Sequence, residues 1–270
     1  MVVRHLDCAT MCPFGGRALI GSGGLLKGEL VAHCLLIETG DGLVLVDSGI
    51  GTGDIAEPSR LGISSTLLVR PALRLEQTAL HQIRALGYQP SDVRHLVLTH
   101  LDFDHAGGIG DFPDATVHVL ADELAAVSNR GTLLQKARFR PQQWAHGPKW
   151  QTHQPGSESW FDFTAIPLFD DIVLVPLIGH TEGHTGVAVR QDDGWLLHCG
   201  DAYLHRSELR GGRLPVGLAV HQRLTDTIRR TRVHNLERLR ALRADHGAQV
   251  RLFCAHDEQE FAELHTANTQ

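Results

Sequence analysis

The sequence predicts an α/β protein in which two αβ halves pack face to face as one domain. Three observations carry this. Strand-like apolar runs recur at residues 32–38, 43–47, 95–99 and 116–120, and again at 172–177, 187–190, 195–198 and 250–254. Helical periodicity follows strands in each half. No short-period repeat or low-complexity linker separates the halves. The whole of 1–270 is therefore expected to be a single domain, with residues 138–165 inserted as a lid.

Taken in order, the first two runs are joined by Thr39-Gly40-Asp41-Gly42, a hairpin turn. The second run ends in Asp47-Ser48-Gly49-Ile50-Gly51, a carboxylate and glycines at a strand's end. A helix is expected over 71–86, with Leu73, Leu80, Ile83 and Leu86 on one stripe and Gly87 as its stop. Pro90-Ser91-Asp92 turns the chain into the strand 95–99, and strand 116–120 runs into a helix over 121–128. Residues 138–160 have weak periodicity and read as a long functional loop. There Trp144, Trp150 and Trp160 could line an apolar pocket, pack onto the body or form a homodimer contact. Arg140, His146 and Lys149 could receive an anionic substrate group. A helix over 224–244 carries Leu224, Ile228, Leu236, Leu239 and Leu242, with Arg229-Arg230-Thr231-Arg232 on its wet face. A short helix from about Glu258 closes the chain.

Composition excludes several classes. A chain of 270 residues that is 42% hydrophobic has material for a full core. Its 25 Lys+Arg against 31 Asp+Glu, with no long basic run, argue against a nucleic-acid partner. No apolar stretch approaches the ~18 residues needed to span a bilayer. The first residues lack the basic-then-apolar pattern of a secretory signal. Five scattered cysteines make no disulfide framework, so a reduced cytoplasmic location is expected. The 18 histidines direct attention to metal chemistry.

The informative segment is Thr99-His100-Leu101-Asp102-Phe103-Asp104-His105-Ala106-Gly107-Gly108, four metal-capable side chains in six residues after an apolar strand. Extended backbone puts His100, Asp102 and Asp104 on one side, and a turn brings His105 round. A solvated loop would not place four such groups beside a core strand. Three more strand ends offer His or Asp: His180 and His184 in Gly179–Thr185, Asp201 in His198-Cys199-Gly200-Asp201, and His256 in Cys254-Ala255-His256-Asp257. Together they suggest ligands converging on one edge of a sheet sandwich.

This ordered set, HLDFDH, GHTEGH, GDAY and AHD, resembles the metallo-β-lactamase superfamily from about Ala32 to His256. The resemblance implies a four-layer αβ/βα sandwich of two mixed sheets with outer helices. It also implies two divalent metal ions, zinc first, with iron or manganese as alternatives. One ion would be held by His100, Asp102 and His184, the other by Asp104, His105 and His256, with Asp201 bridging. His180 would support the ligands rather than join them, and Asp47 would brace the metal loop. Asp104 could also orient the nucleophile, and Tyr203 could donate to a developing oxyanion as a tyrosine does in lactonases of this fold. Asp102 departs from the common HxHxDH pattern. Flavodiiron proteins also carry a carboxylate there, but their flavin domain has no room in this chain. The implied activity is hydrolysis of a small lactone or related ester, with glyoxalase II-type thioester hydrolysis and di-iron redox chemistry as alternatives.

Overall fold

Alternating burial builds two sheets from these runs. The computed structural model describes residues 1–156 and 158–267. Its first sheet is ordered β1 (Val2–Met11), β2 (Leu30–Thr39), β3 (Gly42–Val46), β4 (Val93–Val97), β5 (Thr116–Leu120) and β6 (Lys149–His153). The second is ordered β12 (Val250–Phe253), β11 (Gly194–His198), β10 (Thr185–Gln191), β9 (Ile172–Pro176), β8 (Phe163–Phe169) and β7 (Glu158–Trp160). Both are mixed. β1–β2–β3 pair antiparallel and β3 to β6 parallel, while β11–β12 is the parallel pair of an otherwise antiparallel second sheet.

Side chains that alternate along a strand feed different cores. Leu35, Ile37, Val44 and Val46 face Leu174, Val187, Val189 and Phe253 of the other sheet and form the middle layer of contact. Their neighbours Cys34, Leu36, Leu43 and Leu45 face outward onto Leu80 and Ile83 of the helix Ala79–Ala85. On the far side Ala188 and Leu197 meet Leu236, Leu239 and Leu242 of the helix Arg229–His246. The result is the four-layer sandwich with outer helices. Each fully buried leucine in it contributes ~1.5–3 kcal/mol.

Several expectations need correction. β1 was not anticipated, because its polar His5, Asp7 and Thr10 obscure the alternation. The helix expected over 71–86 is confined to Ala79–Ala85: Leu73 has a positive φ of 51° and Pro71 bridges to Met11. Thr78 starts that helix by accepting the His81 N–H. The helix expected over 224–244 is two, Val216–Thr225 and Arg229–His246. The break between them is tied to the 179–180 loop, with the Thr227 and Ile228 N–H groups donating to the His180 and Gly179 carbonyls. Among the described residues, 138–160 are more regular than the long loop expected. They carry β6 and β7, edge strands of the two sheets, and link one sheet to the other. Trp144 and Trp150 pack against the first outer core, and Trp160 is buried in the second. Among the described residues, no helix is long and apolar enough to cross a membrane.

Candidate metal centre

The ends of β4, β9, β11 and β12 bring the candidate ligands to one edge of the sandwich. After β4 the chain turns through His100 and Asp102 into the short helix Phe103–Ala106, which carries Asp104 and His105. His180 lies in the loop between β9 and β10, Asp201 follows β11 and His256 follows β12. Two buried triads result. His100, His180 and Asp201 each offer a ligand atom, all mutually within 4.8 Å, and so do Asp104, His105 and His256. Asp201 touches both: its Oδ2 is 3.4 Å from His180 Nε2 and its Oδ1 is 3.1 Å from His256 Nε2.

Backbone and carboxylate partners aim each ring. Asp47 sits at the end of β3 with a positive φ of 55°, a conformation that aspartate tolerates better than most residues. It accepts the Thr99 N–H at 2.8 Å, the Thr99 hydroxyl at 2.8 Å and His105 Nδ1–H at 2.8 Å. That bond leaves His105 Nε2 facing the site, the tautomer following from the network. Asp47 is thus the brace expected of it. His256 Nδ1 donates to the Val31 carbonyl at 2.8 Å, and His100 Nδ1 to the Thr99 hydroxyl at 3.0 Å. Each again turns Nε2 inward.

Charge follows from this crowding. Burial works against a charged His105, yet the Asp201 and Asp47 carboxylates push its pKa up to about 10. Burial likewise opposes charge on His256, and Asp201 outweighs it to give about 9. Burial, and then the His105 charge, lower His100. The second triad therefore attracts cations, and a metal would compete with protons for the same lone pairs.

The donor chemistry passes a fit test. His100 Nε2 and Asp201 Oδ1 are buried and make no well-directed hydrogen bond, although Asp102 Oδ2 and His256 Nε2 lie 3.2 Å and 3.1 Å away, an unfavourable state that a coordinated cation would relieve. Imidazole and carboxylate donors suit zinc, iron and manganese alike.

The structure departs from the sequence expectation at His180, His184 and Tyr203. His184 is not presented to the site: its Nδ1 donates to the Leu177 carbonyl at 3.0 Å, and its Nε2 accepts the Asp201 N–H at 2.9 Å. With both nitrogens used, it steers Asp201, while His180 takes the place in the triad. Tyr203 is fully buried in the second outer core and its hydroxyl donates to Glu260 Oε2 at 3.1 Å, so it is not an oxyanion donor. Asp102 reaches the first triad, with Oδ2 3.0 Å from His180 Nε2 and 3.2 Å from His100 Nε2. Its carboxylate is also held at 2.6 Å on both oxygens by Arg138.

Three contributors went unrecognised in the sequence. Arg138 is one. Glu123 is another: fully buried, it accepts the Leu101 N–H at 2.9 Å and the Gly183 N–H at 3.0 Å, clamping the loops that carry His100 and His180. A Cβ on Gly183 would lie 2.2 Å from the Glu123 nitrogen, so only glycine permits this approach. The third is His221, exposed on the helix Val216–Thr225. The charges of His180, Asp104, Asp201 and His256 act on it.

Fold and donor set together define a metal-dependent hydrolase with its centre at one edge of a sheet sandwich. Residues 28–246 match the metallo-beta-lactamase superfamily, and the chain belongs to it. It is 44% identical over 260 residues to a Mycobacterium tuberculosis protein named probable metallo-hydrolase, covering 94% of this chain and 80% of that one. It is 28% identical over 230 residues to the N-acyl homoserine lactonase AttM of Azorhizobium caulinodans, covering 82% and 81%. Among solved structures, an N-acyl homoserine lactone hydrolase with N-hexanoyl-L-homoserine at its catalytic metal center superposes with a TM-score of 0.75 at 17% identity, covering 97% and 95%. The dizinc quorum-quenching lactonase AidC gives 0.62 at 16% identity, covering 95% and 87%. At these identities the structural likeness shows the fold.

Proposed function

We propose that this chain hydrolyses a small carbonyl ester, a lactone before a thioester, at a binuclear metal centre. His100, His180 and Asp201, with Asp102 beside them, would hold one divalent ion, and Asp104, His105 and His256 the other. Zinc is the first expectation, with iron or manganese as the alternatives. The observation that carries this reading is Asp201, whose two oxygens face His180 of one triad and His256 of the other. When bound, such paired ions supply Lewis acidity and acidify a water to a pKa near ~7.

The chain's own groups divide the remaining work. Asp104, at 3.7 Å from His256, anchors the second triad, and its residual exposure leaves it able to orient a nucleophile. His184 and Asp47 fix the directions of Asp201 and His105, so little reorganisation is needed when substrate arrives. His221, on which the Asp104, Asp201 and His256 charges act, would meet the substrate. On its helix Val216, Val220 and Leu224 are exposed at four-residue spacing. An apolar stripe beside a polar site supports a substrate with an apolar arm.

The di-iron alternative was motivated by Asp102. That carboxylate already has a cation partner in Arg138, which weakens the motive for iron. The test is a panel of N-acyl lactones, thioesters and phosphodiesters followed by proton release with the metal-loaded protein. Lactone turnover, abolished by a chelator and restored by zinc or manganese, is expected. No turnover of any ester class at full metal loading would overturn the reading.

A further inference from the structure

The two halves of the centre differ in one respect: the first already contains a cation. Arg138, at the end of the helix Leu133–Arg138, reaches inward with its side chain only 15% exposed. Its Nε donates to Asp102 Oδ1 at 2.6 Å and its Nη2 to Asp102 Oδ2 at 2.6 Å. The same Nη2 lies 2.8 Å from His180 Nε2, and Nη1 donates to the Thr225 carbonyl at 2.5 Å. Nη2 therefore binds an oxygen of Asp102 and lies against Nε2 of His180, two groups that a metal in the first triad would need. A guanidinium cannot give up its charge in this pH range, so the group cannot vacate the site by deprotonation. Among the described residues, no Arg or Lys makes an equivalent ion pair with Asp104 or Asp201. Their ion pairs are with histidines, whose protons a metal can displace.

Resting on the binuclear reading above, we propose that Arg138 is a resident cation of the first triad. Metal enters that half only by displacing the guanidinium, so the two halves load in sequence, Asp104/His105/His256 first. Arg138 acts here through Asp102 and His180 and controls occupancy of the half they share.

The test is titration of the chelator-stripped full chain with Co(II), read by visible absorption and equilibrium dialysis, for wild type, Arg138→Met and Arg138→Lys. The wild type is expected to bind its second equivalent at least about tenfold more weakly than its first. Arg138→Met should tighten the second equivalent by about tenfold or more and leave the first nearly unchanged. Arg138→Lys, a point charge without the fork, should fall between them. Two equal equivalents in the wild type overturn the proposal while leaving the binuclear centre standing. Weaker second binding in Arg138→Met also overturns it, showing that the arginine supports Asp102 as a ligand. A wild type that binds no metal defeats the binuclear reading itself. Circular dichroism checks folding, and two equal equivalents in the wild type overturn the proposal even if a variant does not fold.

Discussion

Glu123→Gln tests how the two ligand-bearing loops are held together. In the wild type one buried carboxylate accepts the Leu101 N–H at 2.9 Å and the Gly183 N–H at 3.0 Å, one on each oxygen. Glutamine is nearly the same size, so packing is kept while the chemistry changes. Its amide offers one oxygen and one NH2, and the NH2 must face a backbone donor. One charge-assisted bond, worth about 1.5–3 kcal/mol, is lost, and one buried N–H is left unpaired at about 1–3 kcal/mol. The expected loss is ~3–5 kcal/mol, a large share of the ~5–15 kcal/mol that holds a typical domain folded. Urea denaturation of the chelator-stripped protein measures it, followed by tryptophan fluorescence. Because the clamp joins the 100–106 segment to the 179–184 loop, the first triad should also bind metal more weakly. A variant within about 1 kcal/mol of wild type, with unchanged metal binding, would refute the clamp.

Other substitutions separate the roles assigned above. His180→Ala should lose one equivalent of bound metal by elemental analysis, whereas His184→Ala should retain both with weaker affinity. The reverse pattern would return His184 to the ligand set. Tyr203→Phe should leave ester turnover at the wild-type level and cost about 1–2 kcal/mol of stability, since its hydroxyl serves a buried Glu260; a large fall in kcat at unchanged metal content would contradict this. Glu260 gives a pH signature: burial, and then the Asp257 charge, raise its pKa from 4.5 to about 7. The native state then holds an extra proton across that window, so this group's stabilisation is present at low pH and lost as pH rises through about 7. The displacement sets a ceiling of ~3 kcal/mol. Glu260→Gln should flatten the fall in stability between pH 5 and 8, and an unchanged slope would dismiss the assignment.

Where structure followed from local pattern, the sequence was readable. The strand Thr116–Leu120 and helix Ala121–Ser128 fall where periodicity places them. The HLDFDH segment declared itself because four ligand-type side chains after a core strand have little other use. β1 was hidden because its polar residues are satisfied from afar: Asp7 by the Ala32 N–H and Gln77, His5 by His33. The choice between His180 and His184 could not be made from spacing. It depends on which ring spends both nitrogens on backbone, and those partners are Leu177 and Asp201. Arg138 and Glu123 carry no motif. Their significance lies in bonds to Asp102, 36 residues away, and to Gly183, 60 residues away, and a one-dimensional pattern contains nothing of either. Tyr203 misled for a related reason, since its position two residues beyond Asp201 suggested the site while its side chain points into the core.

The central claim is that two groups of buried imidazoles and carboxylates share Asp201 and hold two ions. Anomalous diffraction from crystals soaked in zinc measures this directly. The account predicts two peaks about 3.5–4 Å apart, one in reach of His100, His180 and Asp201 and the other of Asp104, His105 and His256, with the second peak filling at lower zinc. No peak at this edge of the sandwich, or a single peak bound by His184, would contradict it.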